Sequence, residues 1–226
     1  MVNHNINKNY KIMTVIDKLE KQSELEHTGK TNTPHNDLML AITRDTGKFL
    51  NILLSSMNAN RILEVGTSTG YSTLWFALAL TQNENNARQK VKQNIITIDN
   101  NPQKVKRAEK NFTEAEVQDK IKIIEGNALD VLSKLSNHNS HYSSDNKDDL
   151  FDFIFLDADK ENLINYFDMA LPLLRKRGVV VTDNVLYPEE YRLQISQYIK
   201  HIRRNESTMS VTVPIGYGEE ITIKIK

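Results

Sequence analysis

The chain has 226 residues, of which 39% are hydrophobic and 26% charged, a composition typical of a single globular domain. Its 29 basic and 29 acidic residues cancel, so no global positive charge points to nucleic acid, and only a local basic patch is compatible with such a partner. The absence of cysteine excludes disulfides and thiolate metal sites, and no apolar run reaches the roughly 20 residues that span a bilayer. We therefore expect a soluble, cytoplasmic protein without a secretory signal or membrane partner.

The N-terminal segment, residues 1–33, is predicted to be a helical appendage. It is polar except for a stripe at helical spacing, which indicates a short helix. The stripe consists of Ile12, Val15, Ile16 and Leu19. This helix either packs on the domain or serves as a lid or dimer element. A break at Gly29 and Pro34 separates it from the main domain, which we assign to residues 34–226.

The main domain begins with a predicted amphipathic helix over residues 38–57. Its apolar face is formed by Leu38, Ile42, Phe49, Ile52 and Leu53. From residue 61 onward, short apolar runs alternate with helical segments, which predicts an α/β fold with a doubly wound, parallel sheet and helices on both faces. Predicted strands cover residues 61–65, 95–99, 120–128, 151–159 and 178–184. Two polar segments, 82–94 and 136–149, are predicted as surface loops within this domain.

The end of the chain differs from this pattern. After a predicted helix over residues 191–204, the runs 209–215 and 219–226 alternate apolar and polar residues. Gly216 and Gly218 lie between these two runs, so we expect an antiparallel C-terminal hairpin on the edge of the sheet.

A glycine-containing turn, E-V-G-T-S-T-G at residues 64–70, follows the first predicted strand. Gly66 and Gly70 permit a tight turn close to a ligand, and the following helix presents free N–H groups at its start. Ser68 occupies the place of the middle glycine of a dinucleotide-binding fingerprint. Glu64, directly before the turn, can meet a cationic amino group. This pattern favours S-adenosylmethionine over a dinucleotide as the ligand.

The next two strand ends also carry residues suited to a nucleoside. Asp99 ends the second strand, where a carboxylate can accept both hydroxyls of a ribose or can cap the following helix. Asn127 and Ala128 follow the third strand, where an adenine edge would lie. Ligands of open α/β sheets bind at the carboxyl ends of adjacent strands, so these positions predict one shared binding crevice.

The fourth and fifth predicted strands end in acids. Asp157 follows one strand, and Asp183 and Asn184 follow the other, so their oxygens should lie side by side. Oxygen ligands without cysteine suit a hard cation such as Mg²⁺, Ca²⁺ or Mn²⁺. Lys160 either offsets the acidic charge or acts as a base for proton abstraction, which a nearby dication would favour. Asp159 is predicted to cap the helix that follows.

Four stretches carry a resemblance to a known family. They are D-T-G-K-F-L-N (45–51), L-E-V-G-T-S-T-G-Y-S (63–72), F-L-D-A-D-K-E-N-L-I-N-Y (155–166) and V-V-V-T-D-N-V-L-Y (179–187), and the closing V-P-I-G-Y-G-E-E-I-T is also similar. Over residues 36–226 the chain resembles the cation-dependent class I O-methyltransferases, the group of caffeoyl-CoA and catechol O-methyltransferases. The resemblance implies a Rossmann-like, seven-stranded fold, S-adenosylmethionine as methyl donor, a divalent cation such as Mg²⁺, and a homodimer.

The resemblance also implies roles for individual residues. Asp157, Asp183 and Asn184 would ligate the metal, Asp157 would also touch the donor, and Lys160 would be the general base. The donor would be contacted by Ile42, Glu64, Gly66, Thr67, Ser72, Asp99 and Ala128, with Asn127 alongside. Tyr187 stands where an aromatic residue of the family often lines the acceptor pocket. Tyr191 and Tyr217 either line that pocket as well or are ordinary packing or surface residues.

The expected reaction is methyl transfer to one oxygen of a vicinal-diol, catechol-like small molecule. Only V-L-Y-P-E-E-Y-R separates Asn184 from the next predicted helix, whereas plant-type members have a longer segment there. The resulting open site argues against a coenzyme A ester and leaves catechols, flavonoid-like phenols or, as the alternative, a hydroxylated uridine of tRNA. Some bacterial relatives act on such a base, although the zero net charge weakens this alternative.

Two other functional classes are compatible with the fold. A nicotinamide-dependent reductase is disfavoured by the missing middle glycine and by the absence of a Tyr-x-x-x-Lys pair in a helix. A non-catalytic binding module is disfavoured by the complete set of Asp157, Lys160, Asp183 and Asn184, because a dead site has no need for clustered acids.

Overall fold

The computed structural model describes residues 2–84, 94–141 and 150–226. Its α-helices are α1 (Val2–His27), α2 (Arg44–Ser56), α3 (Tyr71–Glu84), α4 (Pro102–Glu114), α5 (Ala128–His141), α6 (Leu163–Ala170) and α7 (Arg192–Arg204). Its strands are β1 (Arg61–Val65), β2 (Asn94–Asp99), β3 (Ile121–Glu125), β4 (Phe151–Leu156), β5 (Leu174–Thr182), β6 (Thr208–Val213) and β7 (Glu219–Lys224). Among these residues, no helix combines the length and apolar character needed to cross a membrane.

The seven strands form one sheet in the order β3-β2-β1-β4-β5-β7-β6. Strands β1 to β5 are parallel, whereas β7 runs antiparallel to both β5 and β6. The predicted α/β architecture is therefore confirmed, including the C-terminal hairpin. The order of the strands reverses beside β1, so β2 and β4 flank it and the connections leave a crevice at their carboxyl ends.

Side chains of the sheet alternate between two hydrophobic cores. On β4, Phe153 and Phe155 face the core that contains α1, α2 and α3, whereas Ile154 and Leu156 face the core shared by α5, α6 and α7. Phe76 of α3 makes edge-to-face contacts with Phe153 and Phe155, with ring centroids 5.7 and 5.5 Å apart. A central strand that is buried on both faces reads as a continuous apolar run, which explains the F-I-F-L pattern in the sequence.

The N-terminal helix is longer than the sequence predicted. It continues to His27, and its predicted stripe is buried in the same core as α2 and α3. The helix therefore packs on the domain, and its C-terminal end reaches the carboxyl edge of the sheet, where Ser23, Glu24 and His27 line a cavity.

The second helix was predicted too long at its start, because residues 38–43 are not helical and α2 begins at Arg44. Thr43 caps the helix by accepting a hydrogen bond from Thr46 N at 3.2 Å, which ends the extended segment before it. The predicted apolar face was also partly wrong, since Ile52 is 67% exposed. The fully buried residues of α2 are Thr46, Gly47, Leu50 and Leu54, and Phe49 and Leu53 of the predicted face pack against the core while partly exposed.

Helices extend into both segments that were predicted as loops. Helix α3 continues to Glu84 and α5 to His141, so the beginnings of 82–94 and 136–149 are helical, and Asn94 already belongs to β2. The rest of the two loop predictions, residues 85–93 and 142–149, lies outside the described residues.

Candidate active site

Four parallel strands bring their carboxyl ends to one edge of the sheet. Backbone hydrogen bonds fix these ends: Asp157 N donates to Val65 O at 2.9 Å, and Asp183 N donates to Leu156 O at 3.1 Å. On the other side of β1, Gly66 N donates to Ile98 O at 2.9 Å. A cavity of about 1070 Å³ opens along this edge, large enough for a nucleoside-sized donor and a small acceptor together.

The cavity brings together most of the residues predicted from the sequence. Its lining includes Gly66, Asp99, Asn127, Ala128, Asp157, Lys160, Asp183, Asn184, Tyr187, Tyr191 and Tyr217. Ile42, Glu64, Thr67 and Ser72 are not part of the lining and are buried directly behind it. The contacts of these four residues with the donor stay predictions.

Glu64 lies inside the fold and is 0% exposed. Its carboxylate accepts hydrogen bonds from the hydroxyls of Ser72 (2.5 Å), Thr73 (2.5 Å) and Thr97 (2.6 Å), and so joins the start of α3 to β2. Burial raises the pKa of Glu64 to about 7, with Asp99 adding to the rise, while the three hydroxyl donors oppose it. In this structure Glu64 thus ties the base of the turn to α3 and β2, and its contact with a cationic amino group stays a prediction.

The glycine turn depends on a close approach between β1 and β4. Gly66 has φ +107°, and a Cβ built there would lie 1.8 Å from Asp157 O. No side chain fits this space, so the turn residue must be glycine if the two strand ends are to meet. Ser68, two residues later, also has a positive φ of +46°. Its backbone N–H is directed at the end of β2.

Asp99 organises the end of the cavity that lies at β2. Its Oδ2 accepts a hydrogen bond from Ser68 N at 2.7 Å, and its Oδ1 accepts one from Asn101 N at 2.9 Å. Each carboxylate oxygen has two lone pairs, so Asp99 can still accept hydrogen bonds from the hydroxyls of a ribose. The helix cap is instead Asn101, whose Oδ1 accepts from Gln103 N at 2.9 Å and from the next amide.

The predicted oxygen ligands converge next to the lysine. Lys160 is 7% exposed, lies 3.9 Å from Asp157 Oδ1 and donates a hydrogen bond to Asp183 O at 3.1 Å. Burial and the charge of Asp183 raise the pKa of Asp157 to about 7, against the attraction of Lys160. Burial likewise raises the pKa of Asp183. The amide oxygen of Asn184 is buried and has no hydrogen-bond partner.

Glu219 is a further acid at this site that the sequence analysis missed. It begins β7, is 0% exposed and lies beside Asp183. Burial and the charge of Asp183 raise the pKa of Glu219 to about 11, so this carboxyl group keeps its proton at neutral pH. No pattern in the sequence pointed to it, because the antiparallel pairing of β5 with β7 is what brings Glu219 next to Asp183.

Two aromatic side chains stand at the opening of the cavity. The rings of Tyr187 and Tyr217 are stacked, with centroids 5.1 Å apart and planes inclined by 28°. They are 57% and 47% exposed, so each keeps apolar surface available. Asp159 behaves as predicted and caps the turn at residues 160–162 by accepting from Asn162 N at 3.1 Å.

Segments far from the predicted motifs complete the wall. These are the end of α1, the segment that leads to α2, and the start of α4. They contribute Ser23, Glu24, His27, His35, Leu40, Ala41, Asn100 and Lys104. Sequence reasoning missed them because amphipathic spacing shows which face of a helix is buried, and not which cavity its end will reach.

Carboxylates dominate the charge of this cavity. The acidic residues lining it are Glu24, Asp99, Asp157, Asp159, Glu161, Asp183 and Glu190, whereas its lysines are Lys104 and Lys160. Such a lining attracts cations and repels a polyanion.

Sequence comparison identifies relatives of the chain. The family model for O-methyltransferases matches residues 15–217. A catechol O-methyltransferase from Mycobacterium tuberculosis is 33% identical over 147 residues, which is 65% of this chain and 58% of that protein. Caffeoyl-CoA O-methyltransferase 1 from Eucalyptus globulus is 36% identical over 149 residues, or 66% of this chain and 54% of that protein. The chain thus spans little more than half the length of the curated relatives it matches.

Structural comparison agrees with the sequence comparison. An O-methyltransferase from Bacillus cereus, crystallised in complex with SAH, superimposes with a TM-score of 0.73 at 25% sequence identity. The match covers 93% of this chain and 90% of the other.

The buried Glu64 predicts a pH dependence of stability. Its pKa of about 7 lies above its usual value of 4.5, so the folded state binds more protons, and the stabilisation is present below pH 4.5 and lost as the pH rises through 7. Between these values we expect the free energy of unfolding of the wild type to fall by about 3 kcal/mol relative to Glu64→Gln. Urea unfolding followed by circular dichroism across this range measures the difference. The exposed Glu125→Gln serves as control, and parallel curves for wild type and Glu64→Gln would contradict the assignment.

Proposed function

The chain belongs to the O-methyltransferase family, and on that premise we propose that it transfers the methyl group of S-adenosylmethionine to one hydroxyl of a catechol-like vicinal diol, with the help of a divalent cation. The observation that carries the proposal is the convergence of Asp157, Asp183 and the partnerless Asn184 oxygen beside the buried Lys160, in the cavity that also contains the glycine turn and Asp99. A homodimer, which the family resemblance implies, is part of the same proposal.

The residues present fit a hard divalent cation. Two carboxylates and one amide oxygen form an all-oxygen set, and Asn184 Oδ1 is buried without another partner. In residues 2–84, 94–141 and 150–226, no group of three or more His, Asp or Glu is arranged to hold a metal, so the amide is needed to complete the set. A cation held by Asp157, Asp183 and Asn184 would polarise the acceptor hydroxyl and offset the carboxylate charges.

The donor side of the cavity suits S-adenosylmethionine. Asp99 would accept from the ribose hydroxyls, and Asn127 and Ala128 would border the adenine. The small residues Gly66 and Ser68 leave room beside the backbone for the rest of the donor. Asp157 supplies negative charge near the turn. The positive charge of a sulfonium compound matches the acidic lining.

Lys160 would accept the proton of the acceptor hydroxyl. Its ammonium group is held by Asp183 O and lies 3.9 Å from Asp157 Oδ1, so the nitrogen is fixed at the edge where the acceptor would bind. Once it has lost a proton, this nitrogen can take one from the hydroxyl, and the resulting oxyanion attacks the methyl group in line with the departing sulfur. Holding both reactants at reacting distance would supply much of the rate enhancement.

The opening of the cavity favours a small, planar acceptor. The stacked rings of Tyr187 and Tyr217 offer an apolar wall on which an aromatic ring can lie. The acidic rim, with Glu24, Glu161 and Glu190, opposes a polyanion. Hydroxylated tRNA is therefore the less favoured alternative, and it becomes an arm of the test.

The proposed reaction is tested by methyl transfer from labelled S-adenosylmethionine. We expect the purified protein with Mg²⁺ to label catechols and flavonoid-like phenols with a vicinal diol, and to label their monohydroxy analogues weakly, because a single hydroxyl offers the cation only one oxygen. Hypomodified tRNA, as the second acceptor, should stay unlabelled. Labelling of tRNA alone would replace the catechol proposal with its alternative, and binding of NADH instead of the donor in calorimetry would refute both.

The cation is tested at Asn184. We expect a chelator to abolish transfer by the wild type, and Asn184→Gly to need at least about tenfold more Mg²⁺ for half-maximal activity, because it loses one ligand. Glycine suits this position because its φ is +61°. Asn184→Asp keeps an oxygen ligand and is the matched control. Full activity of the wild type in chelator would overturn the metal role.

The role of Lys160 is tested with two substitutions. We expect Lys160→Met to lower kcat by about 100-fold or more while the donor Kd stays unchanged, because the base is lost but the donor site is not. Lys160→Arg keeps the positive charge but not the base, so its kcat should be equally low. An active Lys160→Arg variant would show that the lysine only offsets acidic charge.

A further inference from the structure

The segment between α1 and α2 forms one wall of the cavity. Leu40 and Ala41 line the cavity, and Leu40 N donates a hydrogen bond to Ser68 Oγ at 3.3 Å. Ser68 is the residue whose N–H binds Asp99. The segment therefore touches the same turn and the same acid that would hold the donor. Since residues 38–43 form neither helix nor strand, other contacts must fix their position.

Glu26 provides the first of these contacts. It lies near the end of α1, and its side chain is completely buried. Its Oε2 accepts a hydrogen bond from Met39 N at 2.6 Å, directly before Leu40. Its Oε1 accepts from Gln22 Nε2 at 2.9 Å and from the guanidinium of Arg107 at 2.5 Å. Although burial alone would raise the pKa of Glu26, these hydrogen bonds outweigh it and lower the pKa, so the group is ionised at neutral pH.

Arg107 provides the second contact. One nitrogen of its guanidinium binds Glu26, and the other donates to Asp37 O at 2.6 Å. A single residue of α4 thus holds both the end of α1 and the backbone that precedes Met39. Asn101, at the start of the same helix, donates to Asn36 O and to Asp37 Oδ1, both at 3.1 Å. A guanidinium fork that bridges two separate acceptors in this way fixes their relative positions.

We propose that Glu26 and Arg107 form a clamp that positions the Leu40–Ala41 wall for the methyl donor. They are positioning residues, since neither reaches the reacting atoms. This role rests on the proposed function, in which the donor occupies the end of the cavity at Ser68 and Asp99. The clamp acts on donor affinity because the wall it holds contacts the donor end, whereas the proposed ligands of the cation and the base belong to the other side of β1.

The clamp is tested by calorimetry with S-adenosylhomocysteine and by steady-state kinetics. Arg107→Met removes both links at once. We expect it to raise the Kd for S-adenosylhomocysteine and the KM for the donor about tenfold, because about that much free energy is lost with hydrogen bonds to a charged group. With saturating donor, kcat and the acceptor KM should stay within about twofold of the wild type, because the bonds of Arg107 go to Glu26 and Asp37 and not to the proposed cation ligands or Lys160. Arg107→Lys keeps the charge but can make only one of the two links, so its Kd should be intermediate.

Lys18→Met is the matched control. Lys18 also joins α1 to α4, through an ion pair with Glu114 at 2.5 Å, but it is exposed and its ion-pair partner lies in α4, outside residues 38–43. We expect its donor Kd to equal that of the wild type. Hydrogen exchange supplies a readout independent of the donor: the Met39 and Leu40 amides should exchange faster in Arg107→Met and normally in Lys18→Met. If Arg107→Met fails to fold, Glu26→Gln replaces it, since the amide can still accept from Met39 N while the ion pair is lost.

The outcomes separate this inference from the proposed function. A wild type that does not bind S-adenosylhomocysteine overturns the proposed function and, with it, the role of the clamp. A wild type that binds it, together with a folded Arg107→Met variant that binds equally tightly, overturns the clamp alone. So does an equal loss in Lys18→Met, or an equal rise of the donor and acceptor KM in Arg107→Met.

Discussion

The concentration of acids at the carboxyl edge of the sheet is the constraint on which the rest of the structure depends. Asp99 ends β2, Asp157 follows β4 and Asp183 follows β5. Glu64 and Glu219 are buried close to them. Like charges at this spacing cannot all be ionised without compensation. Three features compensate the acidic charge. They are the three hydroxyl donors around Glu64, the ammonium of Lys160 and the proton that Glu219 keeps. The acids that remain without compensation line the cavity, so its surface attracts cations.

Close backbone contacts fix the shape of this edge of the sheet. Gly66 lets the end of β1 approach Asp157 so closely that no Cβ fits between them. The positive φ of Ser68 turns its N–H toward Asp99. On the outer side, Glu26 and Arg107 hold the irregular segment before α2 against the same turn. The two sides of this end of the cavity are thus fixed in different ways: by the absence of room for a Cβ at Gly66, and by the buried ion pair of Glu26 with Arg107.

The sequence determined the fold class and the main chemistry. Its short apolar runs alternate with helices, which is typical of a parallel α/β sheet, so the presence and type of β1 to β5 could be predicted, whereas their order in the sheet could not. Acids at the ends of these runs had to meet, because parallel strands end at one edge. Asp157, Asp183, Asn184 and Lys160 do meet in the cavity. The family resemblance added the donor and the metal to this expectation.

Only the tertiary structure decided which side chains reach the cavity and which support it from behind. The sequence placed Glu64 at a strand end where a ligand could bind. In the structure, hydroxyls at the start of α3 donate hydrogen bonds to its carboxylate. Glu219 joined the acids through an antiparallel pairing that local periodicity does not encode. The links from Glu26 to Met39 and Arg107 span 13 and 81 residues. The local sequence pattern predicts which face of each element is buried, whereas contacts between distant elements depend on how all the elements pack. Packing therefore decided how the cavity wall at Leu40 and Ala41 is held.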